Sequence, residues 1–275
     1  HTHRSGDYQQ QVQRGLDWLI ANQASDGNLF PTETKFVQFY GHGMAAIALC
    51  EAYGMTKDKK LKQPAQNAIN FITASQHPEF GGWRYEAQFE SDTSVSGWQL
   101  MALKSGEMAG LDIPKTAYAG VATWLDTVEG DESPGRFSYH PTKAFTDSMT
   151  AEGLLMRQYL GAGREDSDLQ AGASYLKSRL PRRDARDVYY WYYATQVMFH
   201  MQGEHWDEWN GGLRDLLVET QEKSGTARGS WDPSAPTKDT WGQSGGRHYV
   251  TCLNVLMLEV YYRHLPLYIE LNRDE

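Results

Sequence analysis

Polar side chains that can exchange protons stand at the beginnings of five apolar segments of the chain. They are His42, Asp92, Asp147, Asp187 and His248. Carboxyl and imidazole groups act as general acids and bases and also bind metal ions, but the spacing of these five follows no metal-binding motif. We therefore predict that the three aspartates are the catalytic candidates, that the two histidines contact a ligand, and that no metal or cofactor is bound.

Aromatic residues follow several of these positions along the chain. Those predicted to line a ligand cavity are Trp98, Tyr189, Tyr190, Trp191, Tyr193 and Tyr249. Aromatic faces attract cations and also stack on sugar rings. Because residues 189–193 cover all sides of a helix, at least one or two of their rings face inward whatever the phase of the helix. The alternative is that these rings only fill the interior of the fold.

The aspartates also have a purely structural interpretation. Asp is a preferred N-cap residue, and a cap contributes on the order of 1 kcal/mol by accepting backbone N–H bonds. We predict this role for Asp92 and Asp147. A helix N-terminus lowers the pKa of a carboxyl group, which disfavours a Brønsted acid and favours a general base or a cation stabiliser. For His42, which lies between two glycines, a hydrogen-bonded structural role is the alternative to ligand contact.

A sequence repeat with a period near 53 residues must position these groups. An aromatic or apolar anchor recurs in five similar phrases, at Trp18, Phe71, Trp124, Tyr175 and Leu216. The steps between these anchors are 53, 53, 51 and 41 residues. A period of this size is typical of repeated supersecondary units that bury their apolar faces only against each other.

Each repeat is predicted to be a helical hairpin. The phrase forms a first helix with an apolar face, as at Val12, Leu16 and Leu19, and ends in a Gly-containing loop. The second helix is apolar nearly all round, which is typical of an interior helix.

The predicted fold is therefore all-α: an α/α toroid of about five hairpins, with outer first helices and inner second helices, forming one domain over residues 1–275. In such a ring the five polar helix starts converge on one end of the barrel. An open solenoid also fits the period, but it usually has a polar concave face.

The bulk composition excludes some classes of partner. The chain has a net charge of −9 and a sequence pI of about 5.5, so it lacks a surface-wide basic field for nucleic acid. No run of about 18 apolar residues occurs, and we expect a soluble protein without a membrane-spanning segment. Cys50 and Cys252 are predicted to be buried and inert. The compartment, the oligomeric state and the length of the parent protein stay open.

The repeat phrases resemble those of a known superfamily. The residues that carry the resemblance are Arg14, Gly15, Trp18, Leu19, Gln23, Asp26 and Gly27, with an echo at Gln76, Gly81, Gly82 and Trp83. The pattern is similar to the aromatic and Gln-Gly repeat of the terpenoid cyclase and protein prenyltransferase superfamily. It is especially similar to the squalene-hopene-cyclase-like proteins of bacteria, which carry the prenyltransferase and squalene oxidase repeat. The resemblance implies the α/α toroid over nearly the whole chain.

The catalytic motif of the class II cyclases is incomplete here. Those enzymes protonate an alkene with the middle acid of a D-x-D-D-T-A segment, and the nearest match is FESDTSV, from Phe89 to Val95. Asp92 matches the end of that motif, but Ser91 takes the place of the proton donor. Glu90 is the carboxyl nearest to that place. The resemblance therefore does not extend to ordinary class II catalysis.

The zinc site of the protein prenyltransferases is also incomplete. Their Asp-x-Cys ligands correspond to Asp187 and Tyr189, and their histidine near Thr-Cys corresponds to Val250. One ligand of three is left, and a zinc site needs at least three protein ligands. Prenyltransferase activity is not expected.

Three functions stay open on the sequence. The first is a cyclase-like protein that binds an apolar or isoprenoid-like ligand in a central cavity. The second is a non-enzymatic protein-interaction or scaffold domain, which an exposed apolar patch on the outer face would support. The third is a carbohydrate-active α/α-barrel enzyme that uses a pair among Asp92, Asp147, Asp187 and Glu152.

Overall fold

The chain is mostly helical. A computed structural model describes residues 1–263 and residue 267, without the side chains of residues 35–37. Within these residues lie eleven α-helices and a single two-stranded sheet, which confirms the all-α prediction. No helix in this part of the chain is long and apolar enough to cross a membrane. The helices are α1 Gln9–Asn22, α2 Lys35–Thr56, α3 Lys59–Ser75, α4 Thr93–Ala109, α5 Lys115–Val128, α6 Asp147–Tyr159, α7 Ser167–Lys177, α8 Val188–Met201, α9 Gly203–Thr220, α10 Gly242–Leu258 and α11 Val260–Arg263.

First and second helices of the predicted hairpins alternate along the chain. The first helices α1, α3, α5, α7 and α9 each bury one face, as α3 does with Leu61, Ala68 and Ile72. The second helices α4 and α8 are buried on nearly every side. A helix buried all round has packing partners on all its faces. The last second helix, α10, differs from the prediction, because it buries one face only.

The contacts divide the described chain into two compact units. The first unit contains His1–Val128 and Tyr139–Thr142, and the second contains Glu129–Ser138 and the described residues after Thr142. In the first unit α2 packs against α3 and α4, and α4 packs against α5. In the second unit α8 packs against α6, α9 and α10. The single domain over 1–275 stays a prediction.

Helix starts agree with the prediction at α4, α6 and α8, and differ at α2 and α10. α2 begins at Lys35, so His42 lies in its second turn instead of at its start. α10 begins at Gly242 and kinks at Gly246, where φ is +67°. A short hairpin, β1 Glu129–Gly130 paired with β2 Ser133–Phe137, occupies a segment that we predicted as a loop.

The loops after α3 and α9 share two hydrogen bonds made by residues at matching places. Gln76 and Gln221 each donate from Nε2 to a loop glycine carbonyl, at 2.6 and 3.0 Å. Trp83 and Trp231 each donate from the indole N–H to the last turns of the first helix, at 2.8 and 2.9 Å. These bonds fix the loop against the helix that precedes it, because the indole N–H donates to a carbonyl in the last turn of that helix.

Candidate functional site

Asp92 caps α4 at the centre of a polar cluster in the first unit. Its Oδ1 accepts the backbone N–H of Val95 at 2.8 Å and the hydroxyl of Ser94 at 2.9 Å. The N–H of the third helical residue is the usual partner of an N-cap side chain. The predicted cap at Asp92 is therefore confirmed, and the carboxyl group has no solvent exposure.

Hydroxyl groups extend the Asp92 cluster on two sides. Tyr139 donates to Asp92 Oδ2 at 2.9 Å, and its oxygen lies 2.6 Å from that of Tyr85. Tyr40 reaches Ser94 across 2.6 Å. The Arg84 guanidinium Nε lies 3.5 Å from Asp92 Oδ2, which is an ion-pair contact and too long for a strong hydrogen bond. The cluster can hold a proton or a negative charge away from water.

Burial raises the pKa of Asp92 to about 6, in spite of the hydrogen bonds and the Arg84 charge that lower it. We expected the cap to lower this pKa, and that expectation is wrong because it neglected desolvation, which disfavours the charged form. Ser91, in the place of the cyclase proton donor, accepts the N–H of Gly82 at 3.2 Å. Glu90 pairs with Arg84 outside the cluster.

His42 is a fully buried residue with both ring nitrogens hydrogen-bonded inside the protein. Nδ1 accepts the N–H of Leu29 at 3.2 Å, and Nε2 donates to the carbonyl of Ala68 at 3.0 Å. Burial lowers the pKa of His42 to about 4, so the ring is neutral at physiological pH. This arrangement matches the structural alternative for His42. Trp98 packs near it, against Gly43 of α2.

Asp147 lies in the first turn of α6 and does not cap that helix. The cap is Thr146, whose hydroxyl accepts the N–H of Met149 at 3.2 Å, so the predicted cap at Asp147 is wrong by one residue. The Asp147 carboxylate accepts a hydrogen bond from the Tyr175 hydroxyl. The guanidinium of Arg136 lies over the Tyr175 ring, 3.5 Å from its centre.

Asp187 caps α8 in the second unit, where it stands near a second carboxylate. Its Oδ1 accepts the N–H of Tyr190 at 3.0 Å. The neighbour is Asp239, which is fully buried and accepts the N–H groups of Val188 and Trp241 at 2.9 and 3.0 Å. Burial raises the pKa of both aspartates, and the charge of Asp239 raises that of Asp187 further. The cap bond from Tyr190 lowers the pKa of Asp187, but burial outweighs that bond.

Tyr249 is the predicted site residue that the fold brings near this carboxylate pair. Burial raises the pKa of its hydroxyl, and the charges of Asp239 and Asp187 raise it further. The hydroxyl is buried and has no hydrogen-bond partner within the described residues. A protonated carboxyl or a water molecule at this place would complete its hydrogen bonding.

Arg186, next to Asp187, lines a very small cavity. Its Nη1 donates to the carbonyls of Asp232 and Ala235 at 2.6 and 2.8 Å. Its Nη2 and both amide atoms of the buried Asn254 have no partner within the described part of the chain. The cavity measures about 10 Å³, which is the space that one water molecule needs.

The aromatic rings of α8 form a packed core. Tyr190, Trp191 and Tyr193 are buried, and Tyr189 is partly buried. The Tyr189 hydroxyl donates to the fully buried Glu152 of α6 at 3.3 Å, and its ring meets that of Tyr193 edge to face. This packing agrees with the alternative that the rings fill the interior.

His248 and Cys252 lie one turn apart on the exposed side of α10. The Cys252 sulfur is 3.7 Å from His248 Nε2. The predicted burial holds for Cys50, whose pKa burial raises to about 12, and is wrong for Cys252, which is exposed. Cys252 is exposed because α10 buries only its opposite face.

An apolar groove lies between α1 and α2 in the first unit. It has a volume of about 540 Å³. Trp18, whose side chain is 53% exposed, and Leu19 line one wall, and Ala48, Ala52 and Met55 line the other. Glu51 and His1 supply polar groups at its edge.

Sequence reasoning missed several of these residues. Tyr139 and Asp239 come from loops that follow other helices, and no helical pattern points to them. Asp239 does carry one local signal, because Asp two residues before Trp241 fits an Asx turn, and its Oδ1 bonds that N–H. The groove was not predicted, because the sequence assigns Leu19 to the apolar face of its helix and Trp18 to the anchor of the repeat.

Metal-binding side chains do not cluster in the described part of the chain. Among the described residues, no group of three His, Cys, Asp or Glu side chains is placed to hold a metal ion. The chain matches no protein-family model and no curated protein. The resemblance to terpenoid cyclases therefore stays a prediction.

Proposed function

We propose that this protein is a non-enzymatic interaction domain, built as an α/α toroid of terpenoid-cyclase-like hairpins, that binds an apolar partner in the α1–α2 groove. The observation that carries the proposal is the exposed apolar lining of that groove. Contiguous exposed apolar side chains bordered by polar groups are typical of interaction sites. The matching Gln and Trp hydrogen bonds after α3 and α9 support the repeat on which the toroid rests.

The polar groups give less support to catalysis than to structure. Asp92 and Asp187 cap helices, and His42 bonds the backbone through both nitrogens. Among the carboxyl groups considered for sugar hydrolysis, Asp147 accepts from Tyr175 and Glu152 accepts from Tyr189. Side chains with these hydrogen bonds stabilise the fold, and an interaction domain does not require them to act as catalytic groups.

A second candidate is the binding of an apolar or isoprenoid-like small molecule, which we first placed in a central cavity. The observation that favours it is the groove volume of about 540 Å³, within the range of about 300–1,000 Å³ that small-molecule pockets have. A linear C15 isoprenoid alcohol such as farnesol is a suitable probe.

Binding of an environment-sensitive apolar dye to dilute protein tests the proposal. Met55→Arg places a charge on a groove residue that is 64% exposed, and Met108→Arg places the same charge on α4, where Met108 is 76% exposed. We expect dye binding by the wild type and the Met108 variant and about tenfold weaker binding, ~1.4 kcal/mol, by the Met55 variant. Equal binding by all three proteins would contradict the proposal. Displacement of the dye by farnesol at low concentration would favour the second candidate.

A further inference from the structure

Two buried polar side chains of the second unit have atoms without hydrogen-bond partners. Asn254 lies on the buried face of α10 and is fully buried. Within the described residues neither its Oδ1 nor its Nδ2 has a partner, and the same holds for Nη2 of Arg186, which is 7% exposed. A buried polar group without a hydrogen bond costs free energy, and such groups are rare in folded proteins. These three atoms therefore indicate a hydrogen-bonding ligand.

Both side chains line the same very small cavity. Its other walls come from α8 at Trp191, from α9 at Leu217 and Thr220, and from a loop at Pro236. The Thr220 hydroxyl donates its only proton to the carbonyl of Leu216 at 2.7 Å, so it cannot donate to the ligand. With a volume of about 10 Å³, the cavity has room for one water molecule and not for an organic ligand.

The three atoms define what the ligand must offer. It must accept hydrogen bonds from Arg186 Nη2 and Asn254 Nδ2, and it must donate one to Asn254 Oδ1. A water molecule can accept two hydrogen bonds and donate two, and buried waters make about three bonds to polar groups of the protein. One water molecule therefore satisfies all three atoms.

Charged ligands fit these atoms less well. The Arg186 guanidinium repels a cation. An anion would leave Oδ1 of Asn254 without a donor, and the charges of Asp239 and Asp232 already act on the Arg186 guanidinium. The atoms therefore favour a neutral ligand that both donates and accepts.

We propose that this cavity is a binding site for one ordered water molecule, held by Arg186 Nη2 and by both amide atoms of Asn254. The other terminal nitrogen of the guanidinium, Nη1, donates to the carbonyls of Asp232 and Ala235 at 2.6 and 2.8 Å. The water molecule therefore connects the loop that contains these carbonyls to α10. It also connects α10 to the start of α8, because Arg186 precedes the cap residue Asp187.

Nuclear Overhauser effects between water and the side-chain amide of Asn254 test the proposal in the whole ¹⁵N-labelled protein. Asn254→Asp identifies the amide signals, because this pair of signals is absent from the variant. A water molecule that stays bound while the protein tumbles gives a strong cross-peak, whereas surface water, which exchanges faster, gives a weak one. The control in the same spectrum is the buried indole N–H of Trp83, which donates to the carbonyl of Ile72 at 2.8 Å.

A nearby hydroxyl proton that exchanges with water can imitate this cross-peak, and Thr220 carries such a hydroxyl at the cavity wall. Thr220→Val removes the hydroxyl and keeps the branched shape. We expect a strong cross-peak from Asn254 in the wild type and in Thr220→Val, and none from the Trp83 indole. A wild type without the cross-peak overturns the inference, and so does its loss in Thr220→Val.

A crystal structure of the wild type grown in sodium bromide gives a second test that needs no variant. We expect an oxygen-sized density peak within hydrogen-bonding distance of Arg186 Nη2 and both amide atoms of Asn254, without anomalous signal from bromide. An anomalous peak at this place would show an anion site and overturn the inference. A cavity without density, or an Asn254 amide bonded to the protein itself, would overturn it as well.

Discussion

Asp92 in the first unit and Asp187 in the second cap the second helices α4 and α8 with the same backbone bond. Their surroundings differ. Asp92 meets the hydroxyls of Tyr139 and Ser94 and the cation of Arg84, whereas Asp187 meets another carboxylate, Asp239. Burial raises the pKa of both, but the neighbours of Asp92 counteract burial and the neighbour of Asp187 reinforces it. The cap bond is therefore the same in both helices, whereas the groups that determine the pKa of each carboxyl group come from the loops packed on it.

Removal of the two caps should have unequal effects. In Asp92→Ala the Val95 N–H and the Ser94 and Tyr139 hydroxyls lose a buried acceptor, and we expect a loss of about 4 kcal/mol in the free energy of unfolding. In Asp187→Ala we expect a loss of about 1 kcal/mol, the usual value of a cap, because the change also relieves the repulsion with Asp239. Urea unfolding followed by circular dichroism measures both. Equal losses would show that the surroundings of the two caps do not matter.

The sequence predicts the helices of this comparison well. Asp followed by an apolar run marks the starts of α4 and α8, and the repeat places each anchor in a first helix. These are local signals, since capping and amphipathic spacing act within one or two turns. The same local rule misses at Asp147, because Thr146 is an equally good cap one residue earlier.

The partners of the caps cannot be predicted from local pattern. Tyr139 lies 47 residues from Asp92 in the chain, and Asp239 reaches the start of α8 across 51 residues. The direction of the pKa shift depends on burial, which is a property of the packed fold and not of the helix terminus. The exposure of Cys252 has the same origin, because an apolar helix is buried only where a neighbour covers it.

Asp92 should make a contribution of its own to the pH dependence of the free energy of unfolding. The folded pKa of about 6 lies above 3.8, the ordinary value for an aspartate, so the folded state binds the proton more tightly. The stabilising contribution is fully present below about pH 4 and is lost as the pH rises through 6. In Asp92→Asn this dependence is absent. The stability of the wild type minus that of the variant should therefore fall by about 2–3 kcal/mol between pH 4 and 7.

The difference in the free energy of unfolding between the wild type and Asp92→Asn must be measured, because His42 changes this free energy with pH in the opposite direction. Its folded pKa of about 4 lies below 6.5, the ordinary value for a histidine. The contribution of His42 is present above about pH 6.5 and is lost as the pH falls towards 4. The two terms oppose each other in the wild-type curve, and subtraction of the Asp92→Asn curve removes that of His42. A difference that stays flat from pH 4 to 7 would contradict the raised pKa of Asp92.

The carboxylate pair of the second unit can also be tested by a substitution of Asp239. In Asp239→Asn the neighbouring charge is removed, and we expect the pKa of Asp187 to fall. The amide keeps one acceptor oxygen for the Val188 or Trp241 N–H, so a loss of about 1 kcal/mol in the free energy of unfolding accompanies the change. Carbon-detected NMR titration of the Asp187 carboxyl measures the pKa. A pKa that rises or stays constant would contradict the contribution of the Asp239 charge.

The smallest change removes one hydroxyl from the Asp92 cluster. Tyr139→Phe deletes a hydrogen bond to Oδ2 of 2.9 Å, and we expect a loss of about 1 kcal/mol. Because the Tyr139 hydroxyl stabilises the carboxylate, the pKa of Asp92 should rise further.

The matched control for Tyr139→Phe is Tyr85→Phe. Its hydroxyl bonds that of Tyr139 at 2.6 Å, and Tyr139 in turn donates to the Asp92 carboxylate. If the neighbours of Asp92 act through direct donation, the Tyr139 variant raises the pKa of Asp92 more than the Tyr85 variant does. Equal shifts in the pKa of Asp92 would mean that the two hydroxyls act together as one hydrogen-bonded chain. The difference between Asp92 and Asp187 would then depend also on groups that do not touch either carboxylate.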